Sequence, residues 1–173
     1  VLDNKIKMPK KEQEGKWFLK THEILSRNGY QAYEVSNFSK PGYECNHNLH
    51  YWNIEPYLAF GPSAHGFDGQ YRWNNSRSLD QYISCILAGK SAISMREKIS
   101  VIEHINEKIG FGLRMKKGFE LKDIPKKYHK LIKNNIENAQ EKYPDCINTK
   151  SNCVTFTQKG MLYADELIPS ILL

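Results

Sequence analysis

The chain has 173 residues, of which 40% are hydrophobic and 12% aromatic, and this is enough apolar material to build one compact domain. Aromatic and aliphatic residues occur along most of the length, which argues against intrinsic disorder. Lys and Arg number 25 against 19 acidic residues, so the net charge is +6. The basic excess lies in lysine-rich stretches typical of solvated surfaces, and no base-reading motif accompanies them, so nucleic-acid binding is not expected.

The sequence also bears on the compartment of the protein. No apolar run approaches the roughly 20 residues that cross a bilayer, and the N-terminus lacks the pattern of a signal peptide. The chain begins at Val1 rather than Met, which suggests a fragment or a processed start. Its four cysteines (Cys45, Cys85, Cys146 and Cys153) show no CxxC spacing. We therefore expect a reducing, cytoplasmic setting without a disulfide framework.

The first half of the chain predicts a helix followed by strands. Residues 1–10 are expected to form a loop, and apolar positions at helical spacing predict an amphipathic helix over 11–28, ended by an Asn-Gly pair. A strand is expected over 30–38, and a buried strand over 57–64 that runs into a Gly-Pro turn. Between them, 45–53 is dense in polar and aromatic side chains. This order is what the end of an α/β barrel would supply.

The second half predicts helices around a small hairpin. Four helices are expected: one capped by Ser78 and ending at residue 87, a long one over 95–115, a basic one over 125–142, and a last one capped by Thr157. A hairpin is expected over 146–156, and Cys146 and Cys153 could face each other across it. The order of helix, helix, hairpin and helix is winged-helix-like.

The stretch from Tyr33 to Phe67 carries the most informative side chains. His47 and Tyr51 are four residues apart, so on a helix they share a face. A neutral imidazole can ligate haem iron, Tyr51 and Trp52 can stack on a flat porphyrin, and the Asn48 amide can orient the imidazole. An aromatic core turn in which His47 is satisfied internally is the alternative, and these residues alone leave both interpretations open.

A second candidate site is the turn that contains Gly61, Ser63, Ala64 and His65. Small residues after a strand allow a ligand to approach the backbone closely, and barrels place their binding loops at the C-terminal ends of strands. The segment is not a phosphate loop, because GxxxxGK[ST] is absent. A plain tight turn remains the alternative. Glu34, in the preceding strand, could meet a ribose or an amine if it points inward, or it could face solvent.

Taken together, these segments resemble the HemN/HemW family of radical-SAM proteins. YEVSNFSKPGYECNHNLHYW at 33–52 and YLAFGPSAHGF at 57–67 resemble the second half of that family's radical-SAM domain in motif, order and spacing. Arg72-Trp73-Asn74 and the segments at 106–121 and 154–168 resemble further family motifs. The resemblance therefore covers almost the whole chain.

The family has two relevant branches. One is the oxygen-independent coproporphyrinogen III oxidase, which decarboxylates two propionates with radicals from S-adenosylmethionine. The other is a haem-binding, chaperone-like branch, which HNxxYW marks. The resemblance implies that His47 is the ligand of the haem iron, the only metal ligand expected in this chain, and that Asn48, Tyr51 and Trp52 support it. It also implies that the turn at 61–65 lies beside the adenosyl cofactor.

The chain departs from the family in one respect. The family binds a [4Fe–4S] cluster through a CxxxCxxC motif, and no such motif occurs here. Cys45 occupies the family's P-G-x-x-C position, which is not a cluster ligand. The chain by itself is therefore expected to lack the cluster and to be inactive as an oxidase. A missing N-terminal half of about 200 residues is the simplest account.

The expected fold class is α/β: the end of a partial radical-SAM barrel at 1–77, then a mostly α, winged-helix-like domain at 78–173. The protein is expected to act as a cytoplasmic haem chaperone that passes haem to acceptor proteins. It is expected to associate with membranes only through its partners, and a homodimer is compatible with this function. The alternative is the coproporphyrinogen oxidase, with porphyrinogen as substrate. A winged-helix nucleic-acid module is a third hypothesis, which rests on the basic surface and on the order of helices and hairpin in the C-terminal half.

Overall fold

The computed structural model describes residues 9–173, so the loop predicted at 1–10 lies almost wholly outside the described residues. Within 9–173 the chain has seven α-helices and eight short strands in three antiparallel sheets, a mixed α/β fold as expected. Residues 9–46 together with 109–173 form one compact unit, and 47–108 form the other. The domain assignment at 1–77 and 78–173 stays a prediction.

No helix in the described range 9–173 combines the length and the apolar character that a bilayer span requires.

The first unit opens with helix α1 (Lys11–Arg27), which confirms the predicted amphipathic helix. The helix ends where Asn28 and Gly29 follow, and Gly29 has φ of 81°, a left-handed conformation that glycine adopts without steric cost. Strands β1 (Gln31–Ala32) and β2 (Phe38–Ser39) then pair antiparallel.

The single strand predicted over 30–38 is wrong in its middle. The Tyr33 N–H donates to the Asn37 carbonyl at 3.2 Å, and the Glu34 carboxylate accepts from the Ser36 N–H at 2.9 Å. Short polar side chains at Ser36 and Asn37 favour such turns, and they interrupt the alternation that suggested a continuous strand. The result is a short hairpin, with a two-residue strand on either side of the turn.

The rest of this unit contains the C-terminal part of α4, a three-stranded sheet of order β6-β8-β7 and three further helices. Two short 3₁₀ turns, Leu121–Asp123 and Lys126–Tyr128, precede α5. The elements are α4 (Val101–Arg114), β6 (Phe119–Glu120), α5 (His129–Lys142), β7 (Ile147–Lys150), β8 (Cys153–Phe156), α6 (Gln158–Leu162) and α7 (Ala164–Ile171).

The predicted hairpin and basic helix are confirmed by β7, β8 and α5. Ser151 and Asn152 turn the hairpin with φ of 50° and 72°, as two-residue hairpin loops require. Thr157 caps the last helical segment as expected, because its Oγ1 accepts from the Gly160 N–H at 3.0 Å. That segment is two helices rather than one, since the chain leaves helical geometry at Tyr163.

The apolar core of this unit lies where α5 packs against α7, together with the end of α4. Each fully buried aliphatic side chain contributes about 1.5–3 kcal/mol relative to exposure. The Asn135 amide also donates to the Leu172 carbonyl at 3.0 Å, which ties α5 to the C-terminal residues. Within this unit, the buried leucine and isoleucine side chains of these three helices are Ile109, Leu113, Ile132, Ile136, Leu167, Ile168 and Ile171.

Cys146 and Cys153 do not face each other, so that prediction is wrong. Cys153 pairs with Lys150 across the hairpin, whereas Cys146 lies before the first paired residue, Ile147. The tight turn joins Lys150 to Cys153 and leaves Cys146 at the far end of the ladder. Burial raises the pKa of both thiols, which keeps them protonated and weakly reactive at neutral pH.

The second unit is built on an antiparallel sheet of order β3-β4-β5. The predicted helix after Ser78 is confirmed, because the Ser78 Oγ accepts from the Gln81 N–H at 3.3 Å. The elements of this unit are α2 (Asn46–Trp52), which begins at the unit boundary, β3 (His65–Phe67), β4 (Tyr71–Asn75), α3 (Leu79–Leu87), β5 (Ile93–Lys98) and the first part of α4.

The long helix predicted over 95–115 is wrong in its first turns, where β5 pairs with β4 instead. The helix begins after Ser100, which forms a capping box with Glu103. The Glu103 carboxylate accepts from the Ser100 N–H at 2.7 Å, and the Ser100 Oγ accepts from the Glu103 N–H at 3.2 Å. The hydrogen bond from Ser100 also lowers the pKa of Glu103. This Ser-x-x-Glu spacing was the signal that separates strand from helix.

The buried strand predicted over 57–64 is also wrong. Tyr57 makes one antiparallel backbone pair with Phe67, with two N–H to carbonyl contacts of 2.8 Å. The pairing does not continue through residues 58–64. The carbonyls of Ala59 and Gly61 accept instead from the side-chain amide of Asn75, at 3.2 and 3.0 Å. Side-chain donors therefore replace the ladder that a strand would need.

We predict that Gly118→Ala destabilises the protein by more than about 3 kcal/mol. Gly118 has φ of 70°, and a Cβ there would lie 2.0 Å from the Val154 carbonyl oxygen. Gly15→Ala is the matched control, because that Cβ would only touch the Leu162 side chain at 3.4 Å within a helix. Urea denaturation measures both; equal stabilities of the two variants would contradict the packing described for Gly118.

We also predict that His22 weakens the fold in acid. The imidazole lies between Phe18 and Phe38, with ring centroids at 4.5 and 4.7 Å, and its Nε2 has no hydrogen-bond partner among residues 9–173. Burial lowers the pKa of His22, so its contribution to stability is full above the ordinary pKa of about 6.5 and is lost as pH falls below it.

The measurement is the melting temperature at about pH 7.5 and about pH 5.5 for the wild type and His22→Phe. The wild type should lose more stability between these pH values than His22→Phe, which keeps the ring contacts but cannot be protonated. His65→Phe, at an exposed histidine, should behave like the wild type. An identical loss in the wild type and His22→Phe would show that His22 does not cause the acid sensitivity.

Candidate functional site

Helix α2 brings His47 and Tyr51 together on one face, as their spacing predicts. The two rings meet edge to face with centroids 5.0 Å apart. His47 is exposed, and among residues 9–173 no hydrogen bond to its ring nitrogens is present. Its imidazole is therefore accessible to a ligand, and the interpretation of His47 as an internally satisfied core residue is not what the geometry favours.

Tyr51 connects this face to the rest of the unit. Its ring meets the Tyr57 ring at 4.8 Å and the His50 ring at 5.9 Å, in both cases near edge-to-face geometry. Edge-to-face aromatic pairs contribute about 0.5–1.5 kcal/mol beyond area burial. Since the backbone of Tyr57 pairs with Phe67, the aromatic contacts anchor α2 to strand β3.

Asn48 and Trp52 lie on the same short helix and are half-buried. Both already have partners within the protein, so neither is a free binding group in this conformation. Tyr51, by contrast, keeps 39% of its surface exposed beside His47. Of the four side chains predicted to bind haem, His47 and Tyr51 are thus the two that are exposed.

His50 has both ring nitrogens engaged. Its Nδ1 lies 2.9 Å from the Glu55 carboxylate and its Nε2 lies 2.8 Å from the Pro56 carbonyl oxygen. Both contacts close a turn immediately after the helix. The two histidines of the motif therefore have different environments, which their positions in the sequence do not distinguish.

The predicted turn is present at 61–65. Gly61 has φ of 95° and Ser63 has φ of 60°, so the chain reverses through left-handed conformations. The Gly61 N–H donates to the Tyr82 hydroxyl at 3.1 Å, and the Ser63 N–H donates to the Ser76 carbonyl at 3.0 Å. A Cβ on Gly61 would meet nothing within 4 Å, so the backbone there is open to close approach.

The end of the turn enters strand β3. The Ala64 carbonyl accepts from the Asn75 N–H at 2.9 Å, and His65 lies exposed opposite Asn74. Position 66 requires glycine, because the Trp73 indole covers it and a Cβ there would come within 2.3 Å of that ring. This close packing fixes the position at which the chain passes from the turn into strand β3.

A partly buried ion pair supports the sheet behind the turn. Arg72 donates to the Glu107 carboxylate at 2.8 Å, and its guanidinium lies 5.4 Å from the Phe67 ring centroid. The hydrogen bond with Glu107 raises the pKa of Arg72, so the guanidinium stays charged. The pair joins β4 to α4, and removing either partner would leave a mostly buried charge uncompensated.

Glu34 lies in the other unit and is 2% exposed, so its inward orientation is confirmed. One carboxylate oxygen accepts from the Ser36 N–H, and the residue pairs with Met115 through a single β-bridge. In this conformation its carboxylate holds the local turn.

Within residues 9–173 no three His, Cys, Asp or Glu side chains are grouped so that they could hold a metal ion. The α2 face can therefore offer a single imidazole to a metal that is already held by its own macrocycle, which is the requirement of haem iron. It does not offer the several ligands of a protein-built metal centre.

Three supporting residues were missed by sequence reasoning: Tyr57, Asn75 and Tyr82. Tyr57 was assigned to a strand, and its ring contact with Tyr51 depends on the fold. Asn75 follows the Arg72-Trp73-Asn74 motif directly, and a buried Asn after a strand was the available signal, because its amide can serve two carbonyls. Nothing in the local sequence marks Tyr82.

We predict that Asn75→Ala loosens the turn and costs about 1–3 kcal/mol, since the partly buried carbonyls of Ala59 and Gly61 lose their donor. Asn74→Ala is the matched neighbour, because the Asn74 amide donates to the Ser94 Oγ and the Asn75 carbonyl and not to the carbonyls of the turn. Urea denaturation and the rate of limited proteolysis within 58–64 measure the effect. Equal proteolysis of the two variants would show that Asn75 does not hold the turn.

Comparison with known proteins gives a consistent result, although no protein-family model matches the chain. The haem chaperone HemW of Bacillus subtilis is 30% identical over 172 residues, which are 97% of this chain and 45% of the relative. HemW of Mycobacterium tuberculosis is 28% identical over 86% of this chain and 36% of the relative. HemW of Escherichia coli is 49% identical over 49 residues, 28% of this chain and 13% of the relative.

A solved structure has the same fold. Coproporphyrinogen III oxidase (HemN) from Escherichia coli, described as a radical SAM enzyme, superimposes with a TM-score of 0.73 over 94% of this chain and 42% of that chain, at 16% identity. The chain spans less than half of the length of these proteins. The resemblance seen in the motifs is confirmed: the chain is HemW-like in sequence and shares the fold of part of HemN.

Proposed function

We propose that the protein is a haem-binding, chaperone-like protein of haem or porphyrin metabolism. The observation that carries the proposal is the accessible imidazole of His47, which stands beside the partly exposed Tyr51 ring on a helix whose sequence is HNLHYW. A neutral imidazole nitrogen is a common axial ligand of haem iron, and an exposed aromatic ring offers a flat apolar contact to a porphyrin. The HemW relatives carry the name haem chaperone.

In this proposal His47 holds the iron, and Tyr51 contacts the macrocycle. Asn48 and Trp52 support the helix from its half-buried side. Haem is the cargo, and it is passed to acceptor proteins in the cytoplasm. Membranes are reached only through partners, and a homodimer is compatible with the proposal.

A second part of the proposal concerns S-adenosylmethionine. Gly61, Ser63, Ala64 and His65 would lie beside this cofactor in the complete protein. The open backbone at Gly61 and the rigid support of the turn by Tyr82 and its neighbours favour close approach of a ligand. The [4Fe–4S] cluster of the family would need cysteines that this chain does not contain.

We further propose that 1–77 is the end of a radical-SAM barrel and that 78–173 is a winged-helix-like domain. The fold likeness to HemN supports the first assignment. The three-stranded sheet β6-β8-β7 and the helices α4, α5 and α7 support the second, since a small antiparallel sheet beside helices is the winged-helix pattern. The oxidase alternative gains little from HemN, because 16% identity supports a common fold and not a common reaction.

The test is a haem titration of the full-length protein, followed by absorbance. The wild type should develop a stoichiometric Soret band, and His47→Ala should lose at least about tenfold in affinity, or about 1.4 kcal/mol. His104→Ala is the matched control, because His104 is a half-buried histidine of α4 in the same unit with no role in the proposal, and it should bind like the wild type.

Equal binding by His47→Ala and the wild type would remove His47 from the proposed role. Absence of haem binding by the wild type would overturn the proposal and favour the coproporphyrinogen oxidase, whose assay is reductive cleavage of S-adenosylmethionine coupled to decarboxylation.

A further inference from the structure

The HNLHYW motif of this chain contains two histidines, His47 and His50, three residues apart on one short helix. Side chains at this spacing are neighbours on a helix surface, so both could reach the same bound molecule. Both rings also contact Tyr51, at centroid distances of 5.0 and 5.9 Å. Position alone therefore does not decide which imidazole a haem iron would meet.

The surroundings of the two rings do decide. Among residues 9–173, His47 makes no hydrogen bond through its ring nitrogens. His50 directs Nδ1 to the Glu55 carboxylate at 2.9 Å and Nε2 to the Pro56 carbonyl at 2.8 Å. Both partners are oxygen acceptors. A neutral imidazole donates through only one of its nitrogens, but an oxygen atom lies against each of them, so an iron atom could reach His50 only by displacing the Glu55 carboxylate or the Pro56 carbonyl.

The end of helix α2 brings these acceptors back to His50. The Ile54 N–H donates to the Tyr51 carbonyl at 3.0 Å, and the Glu55 N–H donates to the His50 carbonyl at 3.1 Å. These are the two hydrogen bonds of a Schellman motif, in which the residue at Ile54 adopts a left-handed conformation. The chain turns back there, so Glu55 and Pro56 return alongside the last helical turn.

This turn is strained. Ile54 has φ of 60°, a conformation that glycine usually supplies and that β-branched residues rarely adopt. Such conformations persist only where neighbouring contacts over-determine them. The His50 contacts to Glu55 and Pro56 are such contacts, and the Asn53 amide holds the other Glu55 oxygen at 3.3 Å.

We propose that Glu55 and Pro56 form a latch that withholds His50 from haem iron, so that His47 is the axial ligand. Glu55 is thereby a positioning residue of the site, because it acts through His50. The inference rests on the proposed haem-binding function. It also follows that removal of the Glu55 carboxylate frees Nδ1 while Nε2–H still donates to the Pro56 carbonyl. A histidine held by a backbone carbonyl through one nitrogen and open at the other is the usual arrangement of a metal ligand.

The test is a rescue experiment by haem titration of the full-length protein. His47→Ala should lose the Soret band of histidine-ligated haem. Addition of Glu55→Ala to His47→Ala should restore the band with affinity at least about tenfold above that of His47→Ala alone. Addition of His50→Ala to that double variant should abolish the band again. Glu97→Ala in the His47→Ala background is the matched control at an exposed Glu of β5, and it should restore nothing.

Two outcomes would overturn the latch: a band in His47→Ala that His50→Ala removes, or failure of the double variant to regain a band. A general structural effect of Glu55→Ala would lower binding in every background and could not produce rescue. Circular dichroism of each variant verifies that it is folded.

A second measurement needs no haem and separates failure of the latch from failure of the proposed function. Diethyl pyrocarbonate modifies free imidazole nitrogens, and mass spectrometry reports the rate at each histidine. In the wild type His47 should react faster than His50, and Glu55→Ala should raise the rate at His50 several-fold without changing that at His47. Unchanged reactivity of His50 would overturn the latch even if haem binds through His47, and the expected change would support it even if no haem binds.

Discussion

The proposed site depends on the edge-to-face contact between Tyr51 and Tyr57. Helix α2 has seven residues and buries none of them, so it is too short to be stable by itself. The Tyr57 ring supplies a contact at 4.8 Å, and the backbone of the same residue pairs with Phe67 of β3. The orientation of the His47 face therefore follows from a sheet that lies later in the chain.

The same sheet explains the second candidate site. Strand β4 carries Asn75, whose amide closes the turn after Ala59, and Trp73, whose indole requires the glycine at Gly66. Behind them the Arg72–Glu107 pair joins the strand to α4. The turn is thus held by hydrogen bonds to its carbonyls, while no atom lies within 4 Å of the place where a Cβ of residue 61 would stand. A rigid turn with an open backbone is suited to a ligand that must approach the main chain closely.

Elements with local signals could be predicted from the sequence. The stop of α1 at Asn28-Gly29 and the caps at Ser78 and Thr157 depend on residues within a few positions, and all were predicted. The start of α4 was missed although Ser100 and Glu103 have capping-box spacing, because the apolar periodicity continues through β5 and masks the boundary.

Elements whose hydrogen bonds go to distant groups could not be predicted. The segment 57–64 has the apolar pattern of a strand, yet Leu58 and Phe60 are 70% and 81% exposed. A strand needs a partner ladder, whereas this segment finds the Asn75 side chain and a single backbone pair with Phe67. Alternation of residues reports which side chains are apolar, not which backbone groups will meet.

The sequence by itself determined the identity of the candidate residues and the likeness to HemW, because motifs consist of residue types at fixed spacing. It also determined that His47 and Tyr51 would share a face, since helical geometry is local. Only the tertiary structure decided that His50 is engaged while His47 is accessible. The left-handed turn at Ile54 and the return of Glu55 bring an acceptor to one histidine and not to the other, and chain reversals of this kind are set by contacts that a linear pattern does not encode.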